Sequence, residues 1–208
     1  MNSKPDPSSS LESSTRHDEA HFISHILSNA TNQAILARWP SLHLQHGWLV
    51  AGCLFQTVWN LRSGRPAEEG IKDYDIFYFD GDDLSEAAEA AVQARVDRAL
   101  GHLGVNIEVK NQARVHLWYP EHFGHPYPRL RRTQDGIDRF LVPATCVAVR
   151  PAKGSVEVYA PHGLDGLYAG VLTPNPLTDH RDLFRAKAAS YQTRWPWLRI
   201  EEAATGAR

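Results

Sequence analysis

The chain has 208 residues, of which 42% are hydrophobic, and its 24 acidic and 22 basic residues give a formal net charge of −2. This composition is typical of a soluble globular protein with one substantial core, and the balanced charge argues against a protein that coats nucleic acid. Cys53 and Cys146 lie in apolar stretches, as expected for buried side chains in a reducing compartment. No stretch resembles a secretory signal or a membrane-spanning helix, so we expect a cytoplasmic protein without a membrane partner.

The chain ends differ in composition from the rest. Residues 1–16 are rich in Ser and Pro and are predicted to form a disordered tail, residues 17–200 the folded domain, and residues 201–208 a second tail. Helical spacing of apolar residues over 18–38, broken at 28–32, predicts one bent helix or two short ones. Its histidines recur every four residues, which allows a metal-binding stripe or a partly solvated face: His17, His21 and His25.

A strand, a turn and a helix are predicted next. Residues 47–51 form a short apolar run typical of a buried strand, Gly52 marks a tight turn, and residues 54–61 are predicted to be helical. The loop after this helix leads into residues 71–79, which also have the composition of a strand.

Two carboxylates, Asp73 and Asp75, interrupt this second strand. Because side chains alternate between the faces of a strand, both acids point the same way. Two like charges about 4 Å apart repel by about 4 kcal/mol at an effective dielectric of about 20, a large fraction of a domain's net stability. A divalent cation between them would turn that repulsion into attraction. The alternative is a pair of strand-end acids in a turn or a salt bridge.

A third acid follows on the next predicted strand. Residues 84–100 have a strong helical composition, with Asp83 or Ser85 as the cap, and residues 105–110 alternate as a strand does. Glu108 projects from the face opposite the apolar residues of its strand. Consecutive strands joined by a crossover helix are usually neighbours, so Glu108 is predicted to meet Asp73 and Asp75.

The C-terminal half is predicted to be more irregular. Residues 119–132 have a loop-like composition, and residues 133–141 are predicted to form a short helix capped by Thr133. A hairpin is predicted from residues 145–149 and 155–159, followed by a short helix over 163–170 and a basic amphipathic helix over 179–194.

This order of elements resembles the nucleotidyltransferase superfamily of the DNA polymerase beta type. Four blocks, residues 51–60, 73–80, 108–118 and 160–165, are similar to those of a bacterial nucleotidyltransferase-like family, and the resemblance extends from about residue 22 to residue 200. It implies an α/β (α+β) fold, with a short mixed sheet flanked by helices and a C-terminal hairpin and helix.

The resemblance also implies a reaction. In this superfamily, two Mg²⁺ ions about 3.5–4 Å apart assist transfer of a nucleoside monophosphate from an NTP to an acceptor, and Mn²⁺ is a possible substitute. Mapped onto this sequence, Asp73, Asp75 and Glu108 would be the catalytic residues and metal ligands, and Glu108 could accept the proton of the nucleophile. Gly52 and the amides after it would hold the triphosphate at a helix N-terminus. The superfamily usually has Gly or Ser where this chain has Cys53, and residues 62–70 add a loop before the acids.

Further nucleotide-binding candidates lie close to these motifs. They are Cys53, Gln56 and Asn60 on the first helix of the motif, and Asn111 and Arg114 after the third strand, where ligands of α/β sheets gather. Arg62 and Lys110 could also meet phosphates. Each is equally a candidate for a structural or surface role. Charged residues over 129–132 and in the C-terminal helix either steer an anionic acceptor or are simply solvated.

Two other functions fit the same resemblance. One is a nucleotide-binding sensor that keeps the fold without turnover, and the other is a toxin or antitoxin-type module. The acceptor of a transferase could be a small molecule, RNA or protein, and the sequence leaves the preferred base and the oligomeric state open.

Overall fold

The structure is a computed structural model that describes residues 19–202. Residues 1–16 and His17, and with them the predicted N-terminal tail, lie outside the described residues. Of the predicted C-terminal tail, residues 201 and 202 are described. Glu201 donates its backbone N–H to the carbonyl of Leu172 at 2.9 Å, and Glu202 pairs with Arg185 at 2.9 Å. No helix within residues 19–202 has the length and apolar content needed to cross a membrane.

A mixed sheet of five strands confirms the predicted fold class. The strands are β1 (Trp48–Val50), β2 (Asp73–Tyr78), β3 (Asn106–Asn111), β4 (Ala148–Ala152) and β5 (Ser155–Tyr159), in the order β3-β2-β1-β4-β5. β2 and β3 are parallel, and every other pairing in this sheet is antiparallel. The predicted hairpin is therefore the β4–β5 edge of the sheet. Two very short strands that the sequence analysis missed, β6 (Val171–Leu172) and β7 (Arg199–Ile200), form a second, parallel pair.

Eight helices flank the sheet within the described residues. They are α1 (residues 19–27), α2 (Ala30–Leu42), α3 (Gly52–Arg62), α4 (Glu86–Leu100), α5 (Val115–Phe123), α6 (Thr133–Ile137), α7 (Asp165–Ala169) and α8 (Arg181–Arg194). The N-terminal segment forms two helices because the Asn29 carboxamide caps α2, accepting the N–H of Asn32 at 2.9 Å. Ser85, rather than Asp83, caps α4 by accepting the N–H of Ala88.

Two expectations for the C-terminal half were wrong. Helix α5 extends to Phe123, where a loop was predicted from residue 119 onwards, although Pro120 lies inside it and lacks the N–H for one helical hydrogen bond. Gly124 ends α5 in the left-handed conformation, with φ of 71°. α6 is shorter than predicted, and Thr133 does not cap it: its hydroxyl donates to the carbonyl of His46 at 2.7 Å.

The main core lies on one face of the sheet. The alternating residues Tyr74, Ile76 and Tyr78 of β2 are buried there, with Ile107 and Val109 of β3, beneath helices α2, α3 and α4. Both cysteines are free and buried, as predicted. The opposite face is only partly covered, by a small cluster made of Trp48, Val50, Ile137, Cys146 and Ala148. This second face carries the acidic residues.

Candidate active site

The three predicted acids meet on the partly covered face of the sheet. Asp75 of β2 is the direct partner of Glu108 on β3, and Asp73 lies two residues before Asp75 on the same face. Asn106, the partner of Asp73, donates from its side-chain amide to Asp73 Oδ1 at 2.7 Å and Glu108 Oε1 at 3.3 Å. The predicted adjacency of Glu108 to the Asp pair is therefore observed, and Asn106 is an additional bridging residue that the sequence analysis missed.

Asp75 is the most strained of these acids electrostatically. Burial raises the pKa of its carboxyl from the ordinary 3.8 to about 7, and repulsion by Glu108 and Asp73 adds to the effect, while Lys187 and Lys110 oppose it. No residue within 19–202 donates a hydrogen bond to this carboxylate. A half-buried carboxylate with neither hydrogen-bond donors nor a close cationic partner is costly, so the site favours a proton or another cation at Asp75.

Within the described part of the chain, no three His, Cys, Asp or Glu side chains are already gathered closely enough to hold a metal ion. The acids thus form an open row along two strands. His21 and His25 of the predicted histidine stripe have ring centroids 4.1 Å apart, but His17 lies outside the described residues. His25 Nδ1 instead lies 3.2 Å from the hydroxyl of Tyr168.

A cavity of about 940 Å³ lies over the acids. The strand register shows which elements lie at its two ends. β1 runs antiparallel to β2 with Val50 opposite Asp75, so Gly52 and α3 continue towards the Asp73 end. β3 runs parallel to β2 with Lys110 opposite Phe77, so the helix α5 that follows β3 lies towards the Phe77 end. The acids stand between the two ends.

The end near Asp73 is polar and cationic. Gly52 and Cys53 begin α3, and the first N–H groups of a helix have no intrahelical acceptor. Ala51 precedes them with φ of 60° and ψ of −129°, a conformation rare for a residue with a side chain, and such backbone strain is concentrated at functional sites. The Gln56 carboxamide lies directly against Gly52, because a Cβ at Gly52 would be 2.7 Å from Gln56 Nε2.

Helix α8 supplies two cationic side chains to the cavity that the sequence analysis did not place at the site, Arg194 at this end and Lys187 near Asp75. Arg194 donates to Gln56 Oε1 at 2.7 Å and to the carbonyl of Gly70 at 3.0 Å. The two residues are seven apart, two turns along one helix face, a spacing the basic amphipathic pattern contained. The pattern did not show that this face of α8 lies over the cavity that contains the acids.

Cys53 and Asn60 of α3 do not present their side chains to the cavity. The Cys53 thiol is fully buried and donates to the carbonyl of Val50 at 3.3 Å, and burial raises its pKa well above the usual value. Asn60 is also fully buried: its amide donates to the carbonyls of Ala67 and Glu69, and its oxygen accepts from the indole of Trp195. Asn60, a nucleotide-binding candidate from the sequence, is thus turned away from the cavity, because Trp195 and the segment around Ala67 pack on that part of α3. Gln56, one turn earlier, does line the cavity.

Asn111 and Arg114 are likewise turned away from the cavity. Asn111 is 1% exposed, and its side chain exchanges hydrogen bonds with the backbone of Asp80 at 2.9 and 3.1 Å. Arg114 is 6% exposed, pairs with Glu89, and donates to the carbonyl of Leu84 at 3.0 Å. Arg62 is engaged elsewhere too, with the carbonyl of Tyr168 and the ring of Trp197. Of the weaker phosphate-binding candidates, Lys110 does line the cavity.

Comparison with known proteins agrees with this geometry. Residues 37–200 match the model of a protein family described as nucleotidyltransferase. The chain belongs to this nucleotidyltransferase family. A solved structure, described as an NMR structure that reveals a CCA-adding enzyme head domain, shares the fold of this nucleotidyltransferase with a TM-score of 0.71. The match covers 88% of this chain and 95% of the other at 22% identity. No curated protein sequence matches the chain.

These findings confirm the resemblance inferred from the sequence. The nucleotidyltransferase has the fold of the polymerase beta type, and the family match includes β1, α3, the acidic strands β2 and β3, and α8. Nucleotidyl transfer is the general activity of the family, and an NTP is the substrate it implies.

Proposed function

We propose that this protein transfers a nucleoside monophosphate from an NTP to an acceptor, with Asp73, Asp75 and Glu108 as the catalytic carboxylates and a divalent cation as cofactor. The observation that carries the proposal is the meeting of these three acids on one sheet face, beside the N-terminus of α3, in a single cavity. An anionic triphosphate would be repelled by the acids alone. A cation that joins the two resolves this conflict.

The acids are suited to Mg²⁺, with Mn²⁺ as an alternative. They offer hard oxygen ligands, and the raised pKa of Asp75, caused by burial and by its acidic neighbours, marks a position where positive charge is missing. Mg²⁺ is usually bound by one or two carboxylates together with substrate phosphates rather than by a closed protein cage, which agrees with the open row of acids. Asp73, Asp75 and Glu108 would hold it, and when bound it would neutralise charge that develops on the transferred phosphoryl group.

The protein's own groups then have distinct tasks. The N–H groups of Gly52 and Cys53 at the start of α3 would receive phosphate oxygens, because a helix N-terminus offers unpaired donors and a favourable dipole. Lys187 and Arg194 would contact the same phosphates from α8, with Gln56 holding Arg194 in place. Glu108 would accept the proton of the attacking hydroxyl.

Calorimetry tests the site assignment. Binding of a non-hydrolysable NTP should require Mg²⁺ and should be lost in Asp73→Asn and Asp75→Asn. Asp182→Asn is the matched control, because it removes a carboxylate that is 99% exposed on α8. Unchanged Mg²⁺-dependent binding in both strand variants would exclude the site.

Turnover separates a transferase from a nucleotide sensor of the same fold. Incubation with NTPs labelled at the α-phosphate, Mg²⁺ and cell extract should transfer label to an acceptor with the parent chain and not with Asp75→Asn. Nucleotide binding without transfer to any RNA, protein or small molecule would instead support the sensor.

A further inference from the structure

The cavity end near Phe77 differs in chemistry from the end near Gly52. Six aromatic side chains line it: Phe77, Trp118, Tyr119, Phe123, Tyr127 and Phe140. The ring centroid of Tyr119 lies 4.6 Å from that of Phe123 and 4.4 Å from that of Tyr127. The guanidinium carbon of Arg139 lies 5.7 Å from the ring centroid of Tyr127. The described residues thus place a wall of flat rings, with a nearby cation, at one end of the cavity.

This wall is not simply a piece of the core. Phe123 is 42% exposed although it lies in the last turn of α5 beside the cavity, and Trp118 and Tyr119 are only partly buried. Large apolar side chains left open beside a polar site are typical of ligand recognition. None of these six residues belongs to the main buried cluster, and only Phe77 and Phe140 pack on the smaller one.

The direction of the reaction assigns this end to one of the two substrates. In phosphoryl transfer the attacking and leaving oxygens lie roughly in line through the phosphorus. If the triphosphate lies against the N-terminus of α3, its pyrophosphate leaves on the Asp73 side of the acids. The attacking oxygen must then arrive from the opposite side, which is the Phe77 end.

We infer that the acceptor is a small molecule in which a planar aromatic ring lies close to the hydroxyl that is modified, and that the ring stacks on Tyr119 and Phe123. This inference rests on the proposed function and names its acceptor class. The acceptor oxygen forms a bond to the α-phosphorus, and the bond from that phosphorus to the oxygen bridging to the β-phosphate breaks. Pyrophosphate leaves with the electron pair, and the hydroxyl proton passes to Glu108.

Ring-stacking explains the lining better than a general apolar site does. Flat rings stack on Tyr and Phe through complementary faces and edges, whereas an alkyl chain gains only from burial. Arg139 near Tyr127 adds a cation that favours an electron-rich ring. Lys110, also at this end, could contact an oxygen of the acceptor.

Matched ligand pairs test the inference by ligand-observed NMR, with the whole chain, with and without Mg²⁺ and a non-hydrolysable NTP. The probes are adenosine with ribose, riboflavin with ribitol, and 1-hexanol as an apolar compound without a ring. At least one ring-bearing probe should bind at least about tenfold more tightly than its ring-free partner, the effect of one stacking contact. It should remain bound when the NTP is present.

Variants locate the binding. Phe123→Ala and Tyr119→Leu should each weaken binding of the ring-bearing probe by about tenfold and leave Mg²⁺-dependent NTP binding unchanged. Leu117→Ala is the matched control, because Leu117 is 54% exposed on the same helix and does not line the cavity. Circular dichroism would confirm that each variant is folded.

Three results would overturn the inference: ring-bearing probes that bind no better than their partners or than 1-hexanol, displacement of the probe by the NTP, or equal binding in Phe123→Ala and Leu117→Ala. Absence of Mg²⁺-dependent NTP binding is a separate result, which would refute the proposed function instead. Binding of the ring-bearing probes is therefore interpreted separately from NTP binding.

Discussion

Two groups of polar residues near the ends of β2 and β3 behave in opposite ways. One is the acid face, made of Asp73, Asp75 and Glu108. The other, the Arg114 network, is made of Arg114, Glu89, Asn111 and the backbone of Asp80. In the Arg114 network, Glu89 accepts from Arg114 and from the N–H of Asn111 at 2.7 Å, and Asn111 is bound to Asp80. In the acid face, Asp75 lies between two other acids and receives no hydrogen bond from residues 19–202.

The difference shows how to tell a structural polar cluster from a functional one. A buried charge that the protein already pairs and hydrogen-bonds is compensated, whereas a half-buried charge left among like charges destabilises the fold until something else binds. The Arg114 network joins α4, β3 and the residues before α5, and its charged groups are paired with one another inside the protein. The carboxylates of the acid face lack such partners, and of the two groups only the acid face lines the cavity.

The largest effect should come from breaking the Arg114 network. Arg114→Met leaves Glu89 buried without its cation, and removal of one partner from a buried pair costs about 3–5 kcal/mol of unfolding free energy. Urea denaturation would measure the loss. Mg²⁺-dependent NTP affinity of the folded fraction should stay unchanged, and a loss of affinity with normal stability would show that Arg114 serves the site.

The opposite sign is expected for Asp75→Asn. The pKa of Asp75 is raised on folding, so the folded state binds an extra proton between about pH 4 and 7, and the stability contributed by this group falls as the pH rises through that window. The variant cannot ionise. Its free energy of unfolding should equal that of the parent below about pH 4 and exceed it above pH 7, by at most about 4 kcal/mol.

Urea denaturation across pH measures this difference without added metal. Asp182→Asn, which removes an exposed carboxylate, should show no such window. A stability difference for Asp75→Asn that is independent of pH, or of the opposite sign, would mean that the acid face is not under electrostatic strain.

A smaller effect is expected at the cationic end of the cavity. Lys187→Ala removes a positive charge that lines the cavity near Asp75, and loss of one charge-assisted phosphate contact should weaken NTP binding by about tenfold or more. Arg185→Ala is the control, since Arg185 lies on the same helix but pairs with Glu202 and Asp182. Equal effects of the two substitutions on NTP affinity would point to net charge rather than to a contact.

The smallest change is expected at Asn106, which bridges Asp73 and Glu108 at an exposed position. Asn106→Ala should lower the unfolding free energy by about 1 kcal/mol or less. Asn106→Asp should lower the unfolding free energy by more than this above pH 5, because it adds a fourth carboxylate to the row. Thermal denaturation of both variants compares them, and equal stability would show that the acids do not sense added negative charge.

The acid face could be predicted from the sequence because its signals are local. Alternation along β2 and β3 fixed the side of the sheet on which Asp73, Asp75 and Glu108 lie, and the crossover helix α4 made the two strands neighbours. Cys53 and the Arg114 network were harder, since position near a strand end says nothing about side-chain partners. Asn60, for example, is satisfied by Trp195, which is 135 residues away.

The contribution of α8 to the cavity could not be predicted for the same reason. Lys187 and Arg194 line the cavity because α8 packs on α3, where Tyr191 and Trp195 contact the ring of Trp59 with centroid separations of 5.3 and 5.2 Å. Helical periodicity identifies an apolar face but not the element it packs on. The loop-like composition of residues 119–132 misled in another way, because it did not show that α5 continues through Pro120 to Phe123.

We expect the acid face to be under electrostatic strain until a cation and a nucleotide bind to it. A ¹³C NMR titration of the Asp75 carboxyl, assigned with Asp75→Asn, measures that strain directly. We expect a pKa of about 7 for the free protein and a pKa well below this in the presence of Mg²⁺ and a non-hydrolysable NTP. An ordinary carboxyl pKa in the free protein, or a raised pKa that Mg²⁺ and nucleotide leave unchanged, would contradict it.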